Sequence, residues 1–337
     1  MILVTGGTGL LGSHLLYDLV QTEEKVRALY RSDDKIEELK SIFRHYEFGQ
    51  LIFDKIEWVK GDLLDIPSLA EAVRGVKQIY HCAAMVSFKK IDAKKILKTN
   101  IEGTANIVNE ALKQGVQKLC YASSTAAVGH TNDKGELINE NIAWKEDKQT
   151  STYSISKHFA EREVWRGAEE GLETVIVNPS VIIGPGDWTK TSGSFFPTMW
   201  NGLKYYSLGG NAFVDVRDVA SAMQKLMDSS IINERFLLVG ENMSFRNFFN
   251  YVADALDVKR PWIKAGPIKT AIVWRIDLLR SFFTGKPRVI TKETASSSQS
   301  LRFYSNQKIK NALNFTFTPI SKTVVDTANV FLKNKNV

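Results

Sequence analysis

Short apolar runs alternate with segments of helical spacing over the first 180 residues. Apolar residues three and four apart predict long helices over 92–114 and 151–170, and a shorter one over 33–46. Strands that alternate with helices predict an α/β fold with a doubly wound parallel sheet, the Rossmann arrangement. The runs with the length and composition of buried strands cover residues 2–4, 25–30, 56–59, 78–81, 116–122 and 172–177.

The alternation loosens after residue 180, where polar loops and turn signals become frequent. Segments 214–219 and 235–239 are predicted to return to the sheet, and Ser244 is predicted to begin a helix. The expected organisation is a dinucleotide-binding domain of residues 1–180, with returning segments near 212–240, and a smaller C-terminal substrate-binding lobe of residues 181–211 and 241–337.

Residues 268–283 form a broad apolar arc at helical spacing, with Lys269, Asp277 and Arg280 on the opposite side. The interpretation we favour is a helix packed on the substrate lobe. The alternative is an interfacial membrane helix, assisted by the basic residues that surround it.

The glycines of the first turn have the spacing Gly-x-x-Gly-x-x-Gly, at Gly6, Gly9 and Gly12. A strand that turns into a helix through glycines leaves the first helical N–H groups pointing into the turn, where they bind an anion. Gly6 permits the tight turn, Gly9 lets the backbone approach a pyrophosphate, and Gly12 lets the helix lie close to the strand. We therefore predict a dinucleotide site here.

The end of the second strand bears on the choice of cofactor, because an acidic residue there binds the ribose hydroxyls of NAD. This chain has Arg31 at that point, and a guanidinium suits the 2′-phosphate of NADP. We predict NADP, with NAD as the alternative, because Asp33 and Asp34 follow closely. Asp62, past the third strand, is placed either to accept the adenine amino group or to cap a helix.

The fourth strand ends in small residues, Cys82, Ala83 and Ala84, which allow a ribose or nicotinamide to lie close to the backbone. His81 before them is predicted to be a core or strand-end histidine. Cys82 and Cys120 are the two cysteines of the chain, and both lie in apolar runs. We interpret them as buried thiols, and we expect neither a disulfide nor a metal site.

The candidate chemistry lies on the helix predicted over 151–170. Tyr153 and Lys157 are four residues apart and therefore share a face. An ammonium one turn away is expected to lower the pKa of the phenol toward the working range. Ser124, at the end of the fifth strand, is placed to hydrogen-bond a substrate carbonyl oxygen. For Asn100 we favour a structural tie between its helix and the fourth strand over a water that links Lys157 to solvent.

In this order the glycine turn, strand-end Asp, strand-end Ser, Tyr and Lys resemble the extended short-chain dehydrogenase/reductases, the NAD(P)-dependent epimerase/dehydratase superfamily. The resemblance spans nearly the whole chain. It implies that Ser124, Tyr153 and Lys157 are catalytic, with Asn100 as an auxiliary. The matching stretches are 5–12, 61–63, 82–84, 99–104, 121–124, 153–157 and 178–187. The cofactor contacts so implied come from Gly6, Thr8, Gly9, Leu10, Leu11, Gly12, Arg31, Asp62, Leu63, Cys82, Ala83, Ala84, Tyr153, Lys157, Pro179 and Val181.

Residues 177–187 look like those of the branch that contains dihydroflavonol reductases and 3β-hydroxysteroid dehydrogenases. That branch implies hydride transfer to or from a ketone or secondary alcohol. The alternative is a nucleoside-diphosphate-sugar epimerase or dehydratase, which usually carries a pyrophosphate-binding Arg before the Val-x-Asp-Val stretch. Segment 208–216 has no Arg, which weakens this alternative. A third class, a non-catalytic NADP-binding protein, is disfavoured by the intact Ser, Tyr and Lys.

Hydrophobic residues make up 44% of the 337 and charged residues 24%, which is typical of a soluble globular protein. The chain opens in a strand, and no apolar run approaches the roughly 18 residues that cross a bilayer, so we expect a cytoplasmic protein. Residues 259–337 carry 15 Lys or Arg against 3 Asp or Glu. This basic segment allows contact with a membrane surface, whereas nucleic acid is not expected and a homodimer stays possible.

The expected partner is a small-molecule substrate with an apolar ring. Its contacts are expected from apolar and aromatic side chains near the cleft, although all of them fit an ordinary core equally well. They are Val86, Phe88, Trp188, Phe195 and Phe196.

Overall fold

The structure, a computed structural model, describes residues 1–22, 25–43, 49–130, 136–147, 150–267, 274–275, 295 and 298–335. Its main sheet has seven strands, all paired in parallel. They are β1 (Ile2–Thr5), β2 (Val26–Tyr30), β3 (Glu57–Lys60), β4 (Gln78–His81), β5 (Lys118–Ala122), β6 (Glu173–Pro179) and β10 (Glu234–Leu238). The order across the sheet is β10-β6-β5-β4-β1-β2-β3. It reverses between β1 and β4, so a ligand crevice lies beyond the carboxyl ends of these two strands.

The helices connect the strands, and they either cover the faces of the main sheet or pack in the smaller lobe. They are α1 (Leu10–Thr22), α2 (Asp33–Phe43), α3 (Gly49–Asp54), α4 (Ile66–Val73), α5 (Ala93–Leu97), α6 (Gly103–Lys113), α7 (Thr152–Glu169), α8 (Phe195–Trp200), α9 (Val216–Asp228), α10 (Phe245–Ala255), α11 (Gln307–Leu313) and α12 (Ile320–Lys335). Successive strand residues point to opposite faces. Tyr80 of β4 therefore packs with α1 and α9, whereas Ile79 packs with α6 and α7. The predicted α/β fold with a parallel sheet is confirmed.

The smaller lobe is built on a second sheet of three strands, β7 (Val181–Ile183), β9 (Gly210–Asp215) and β11 (Glu241–Ser244), in the order β11-β9-β7. A two-stranded sheet joins β8 (Tyr205–Ser207) to β12 (Ile263–Ala265). Aromatic side chains fill the core between the second sheet, α8, α10 and α12: Phe196, Phe213, Phe248 and Phe331.

The predicted return of segment 214–219 to the main sheet is wrong. Residues 210–215 pair with β7 and β11 instead, and α9 begins at residue 216. The reason is the Asp215 side chain, which accepts a hydrogen bond from the backbone N–H of Arg217 at 2.8 Å and caps the helix. The second predicted return is confirmed, because β10 pairs with β6. The helix expected at Ser244 is confirmed as α10, and Ser244 is its N-cap.

The helix predicted over 92–114 is not uniform. Residues 90–92 form a 3-10 turn, α5 follows, and residues 98–102 form one π turn before α6. Asn100 lies in this π turn. The helix predicted over 268–283 lies outside the described residues, apart from 274 and 275.

Candidate active site

The glycine turn between β1 and α1 has the geometry of a phosphate cradle. Gly6 has a φ of +71°, and a Cβ there would lie 2.6 Å from the backbone N of Ala83. A Cβ at Gly12 would lie 2.2 Å from the Gly6 carbonyl oxygen, so only glycine lets α1 start this close to the strand. Gly9 is exposed at the front of the turn, where its backbone faces solvent. A dinucleotide pyrophosphate fits this turn, because the N-terminus of α1 supplies N–H groups and the positive end of a helix dipole.

Charged residues surround the adjacent edge of the sheet, beyond β2 and β3. Arg31 has a side chain that is 66% exposed, and its Nη1 lies 4.0 Å from Oδ2 of Asp62. Asp62 Oδ1 accepts a hydrogen bond from the Leu64 backbone N–H at 2.9 Å, so this carboxylate also holds its own turn. Lys60 Nζ donates to Asp33 Oδ2 at 2.6 Å, and this bond lowers the pKa of Asp33. Two cations and two carboxylates thus meet where the adenosine ribose of a dinucleotide would lie.

Other residues implied in cofactor binding lie around the same crevice. Cys82 and Ala83 are half-buried and Ala84 is exposed just past β4. Leu63 is buried beside the turn, Pro179 ends β6, and Val181 begins β7. Both cysteines are free thiols, and burial raises the pKa of Cys82 to about 12.

Asn100 is buried and fully engaged by neighbouring groups. Its Oδ1 accepts from the Met85 backbone N–H at 2.7 Å, and its Nδ2 donates to the Met85 carbonyl at 3.0 Å and to Ser156 Oγ at 2.9 Å. These bonds tie the π turn to the loop after β4 and to α7. These contacts are the ones expected of a structural tie, and the role of Asn100 stays a prediction.

Ser124 lies where β5 ends. Its Oγ accepts from the Ala126 backbone N–H at 3.1 Å and so caps the 3-10 turn at 125–127. The Ser124 carbonyl accepts from Asn178 Nδ2 at 2.9 Å. The backbone is held from β6, and the hydroxyl remains at the carboxyl edge of the sheet, where open α/β sheets bind ligands.

Tyr153 and Lys157 lie on consecutive turns of α7, which begins after the N-cap Ser151. The Tyr153 hydroxyl lies near the Ser124 side chain, which acts on its pKa. Lys157 is buried, and its Nζ donates to Tyr121 Oη at 2.9 Å and to the Ala122 carbonyl at 2.8 Å. The three candidate side chains therefore converge at the carboxyl end of β5.

The pKa of Tyr153 shifts in the direction opposite to the one expected. Burial raises it, while the Ser124 hydroxyl opposes the shift. Burial also lowers the pKa of Lys157, to about 7. At neutral pH the phenol is therefore protonated, whereas the lysine is close to its midpoint.

Three polar side chains beneath this site were missed as a cluster by the sequence argument. Glu161, one turn beyond Lys157, accepts from Asn178 Nδ2 at 2.5 Å and pairs with Arg235 at 3.3 Å. Asn178 in turn holds the Ser124 carbonyl, so a buried carboxylate braces the strand end. The i+4 spacing of Lys157 and Glu161 was the signal available in the sequence.

The proposed substrate residues divide into two groups. Phe88 and Val86 are 40% and 42% exposed. The Phe88 ring packs edge-on against the Tyr153 ring, with the ring centroids 5.8 Å apart. Phe196 is fully buried, and Trp188 packs against it at 5.9 Å. Phe195 contacts Phe248 at 5.5 Å and Phe249 at 5.6 Å, inside the small lobe. For Phe196 the core interpretation is therefore the correct one.

Comparison with known proteins places this site in a family. The model of the NAD dependent epimerase/dehydratase family matches residues 2–239. The chain belongs to this family. Members are NAD(P)-dependent oxidoreductases and epimerases of the extended short-chain dehydrogenase/reductase type, and they act on small molecules.

Two similar relatives span most of both sequences. A provisionally named dihydroflavonol 4-reductase of Synechocystis sp. is 31% identical over 264 residues, covering 77% of this chain and 73% of the relative. The sterol demethylase protein B of Methylococcus capsulatus is 30% identical, covering 79% and 77%. The relatives include named reductases, in agreement with the branch indicated by residues 177–187.

Solved structures share the whole architecture. The crystal structure of gox2253 is 31% identical, covers 99% of this chain and 98% of its own, and superposes with a TM-score of 0.80. The UDP-glucose 4-epimerase of Thermotoga maritima, solved with UDP-glucose, has a TM-score of 0.77 at 19% identity, covering 99% of both chains. At that identity the likeness shows the fold alone.

Among the described helices, none is long and apolar enough to cross a membrane.

Proposed function

We propose that this protein is an NADP-dependent oxidoreductase that interconverts a ketone and a secondary alcohol. NADP, when bound, supplies or accepts the hydride. The observation that carries the proposal is the convergence of Ser124, Tyr153 and Lys157 at the carboxyl end of β5, next to the glycine turn.

Each side chain has a distinct task in this proposal. The protonated Tyr153 hydroxyl donates its proton to the substrate oxygen during reduction. The Ser124 hydroxyl donates a hydrogen bond to the same oxygen as negative charge develops. Lys157 presents its remaining N–H to a ribose hydroxyl, and its charge favours the phenolate after Tyr153 has given up the proton. The burial that raises the pKa of Tyr153 supports reduction, because it keeps the acid form available.

The choice of NADP rests on charge at the end of β2. Arg31 is exposed and reaches Asp62 at the long distance of 4.0 Å, so it can turn toward a 2′-phosphate at little energetic cost. The next acidic residue along the chain after Arg31 is Asp33, and its carboxylate accepts a hydrogen bond from Lys60. This bond makes Asp33 a weaker ribose acceptor than a free carboxylate.

The competing function is a nucleoside-diphosphate-sugar epimerase or dehydratase. Arg217 follows the segment where such enzymes carry their pyrophosphate-binding Arg, but it pairs with Asp215 at 2.6 Å and Asp326 at 2.8 Å. An arginine held by two carboxylates is a poor ligand for a pyrophosphate. Among the residues that the structure describes, Arg302 is a further candidate, since its backbone N–H donates to the Gly210 carbonyl at 3.2 Å and places it beside β9.

A cofactor-oxidation screen tests the proposal. The purified protein is incubated with NADPH and a panel of ketones, aldehydes and nucleotide sugars, with Tyr153→Phe as the matched control. We expect NADPH loss equal to alcohol formed with at least one carbonyl compound, and none with Tyr153→Phe. Conversion of a nucleotide sugar without net NADPH consumption would favour the epimerase function instead.

A further inference from the structure

Lys157 has two fixed hydrogen-bond acceptors, and one of them is a side chain that the proposed mechanism does not use. Its Nζ donates to the Ala122 carbonyl at 2.8 Å and to Tyr121 Oη at 2.9 Å. Among the described residues, the third N–H has no protein acceptor. Two acceptors on one ammonium fix the direction of the third N–H, so the hydroxyl of Tyr121 helps to aim Lys157.

Tyr121 is itself held from behind by a buried polar chain. Its ring stacks on His81, with the ring centroids 5.3 Å apart, and the Thr104 side chain lies near its hydroxyl. His81 Nε2 lies 3.1 Å from Thr104 Oγ1, and His81 Nδ1 lies 2.7 Å from Thr5 Oγ1. Thr5 immediately precedes Gly6, so the chain runs from Lys157 to the start of the glycine turn.

The donors along this chain can be assigned from chemistry. An ammonium only donates, so Tyr121 Oη accepts from Lys157, and its own O–H is left to point toward the nearby Thr104 side chain. Thr104 then donates to His81 Nε2, which leaves the imidazole proton on Nδ1, facing Thr5. His81 is neutral, since burial lowers its pKa to about 3, and a neutral imidazole has the one donor and one acceptor required. Each hydrogen bond along this chain then has its donor on the side of the Lys157 ammonium, and bonds aligned in this way strengthen one another.

We propose that Tyr121 is a positioning residue that aims Lys157 at the cofactor ribose and holds the lysine in its charged form. This inference rests on the proposed function. The chain through Thr104 and His81 fixes the Tyr121 hydroxyl, and the ring of Tyr121, 4.5 Å from Nζ, adds cation–π attraction.

Other groups around Lys157 also affect its charge. Tyr153 and Glu161 face it from α7, and Cys82 and His81 from β4. Glu161 and Cys82 raise the pKa of Lys157, and burial lowers it by more. Because these effects on the pKa of Lys157 oppose one another, the loss of the Tyr121 hydroxyl as an acceptor should change that pKa measurably.

Tyr121→Phe tests the inference, because it removes the hydroxyl and keeps the ring on His81. The readout is the dissociation constant of NADPH, measured by its fluorescence from pH 5.5 to pH 9. Without its acceptor the ammonium is less stable, so the pH at which NADPH affinity falls should move about one unit lower, the effect of losing one hydrogen bond to a buried charge. The alkaline limb of kcat should move in the same direction.

Two further variants make the test specific. Thr104→Val breaks the chain behind Tyr121 without a change of volume, and it should give a smaller shift in the same direction. Tyr80→Phe removes a buried hydroxyl on the opposite face of the sheet, and it should leave the pH midpoint unchanged. Wild-type pH midpoints in both Tyr121→Phe and Thr104→Val would overturn the inference. The titration needs no carbonyl substrate, so failure of the proposed reductase activity is detected separately, by the screen.

Discussion

The two ends of the proposed cofactor crevice differ in how deeply their charged side chains are buried. At the catalytic end, Lys157 is 1% exposed and its two hydrogen bonds are both to residues of β5, Tyr121 and Ala122. At the other end, Arg31 is 66% exposed and its ion pair with Asp62 spans 4.0 Å. Burial shifts the pKa values at the first end, whereas water and salt screen the charges at the second. In the proposed function, the residues of the reaction are therefore buried in the core, whereas the residue that selects the cofactor is exposed at the surface.

This difference predicts how each end responds to change. A substitution at the buried end leaves partners unsatisfied, so it affects activity and stability together. A substitution at the exposed end changes affinity alone. The following four substitutions test this contrast, in order of decreasing effect.

Tyr153→Phe should lower kcat about a thousandfold, the contribution of a positioned general acid. NADPH affinity should stay within about twofold, because the ring that meets Phe88 is kept. Steady-state kinetics and NADPH fluorescence measure the two quantities. Retained turnover would remove Tyr153 from its role.

Lys157→Met should lower kcat about a hundredfold and also weaken NADPH. Its effect on stability depends on pH, because the lysine pKa is about 7 in the fold and has its ordinary value of 10.5 in an unfolded chain. Between these values the unfolded state binds more protons, so the wild type gains stability as pH rises from about 7 to about 10. Urea unfolding should show this gain in the wild type and its loss in Lys157→Met. Equal slopes in the two proteins would contradict the shifted pKa.

Asn100→Ala should lower the free energy of unfolding by about 3 kcal/mol, since it strands two backbone groups of Met85. Asn109→Ala, an exposed change on α6, is the matched control and should stay within about 0.5 kcal/mol. Denaturant titration measures both. A hundredfold loss of kcat at unchanged stability would instead support the water-linked role.

Arg31→Ala should weaken NADPH about tenfold, the value of one charge-assisted hydrogen bond, and NADH by much less. The difference should shrink at high salt. Arg74→Ala removes an equally exposed arginine at the end of α4, away from the carboxyl edge of the sheet, and serves as the control. Equal losses of NADPH and NADH would undo the assignment of NADP.

The sequence predicted the strand ends that carry the candidate site residues better than it predicted the packing around them. Strand ends are readable because apolar runs stop where Arg31, Ser124 and the glycines begin. Tyr121 was not predicted as a partner of Lys157, because 36 residues separate them and only the packing of α7 on β5 brings them together. The prediction for segment 214–219 was wrong because its apolar residues fit both the two-residue period of a strand and the 3.6-residue period of a helix. The N-cap Asp215 favours the helix, which begins at residue 216.

The most direct test of the account follows the hydride itself. NADPH carrying deuterium at C4 of the nicotinamide, in each stereochemical position in turn, is incubated with the carbonyl compound that the screen selects. We predict that one of the two forms places one deuterium on the alcohol carbon, with one NADP formed for each alcohol, and that Tyr153→Phe gives none. An alcohol without deuterium from either form would contradict direct hydride transfer at this site.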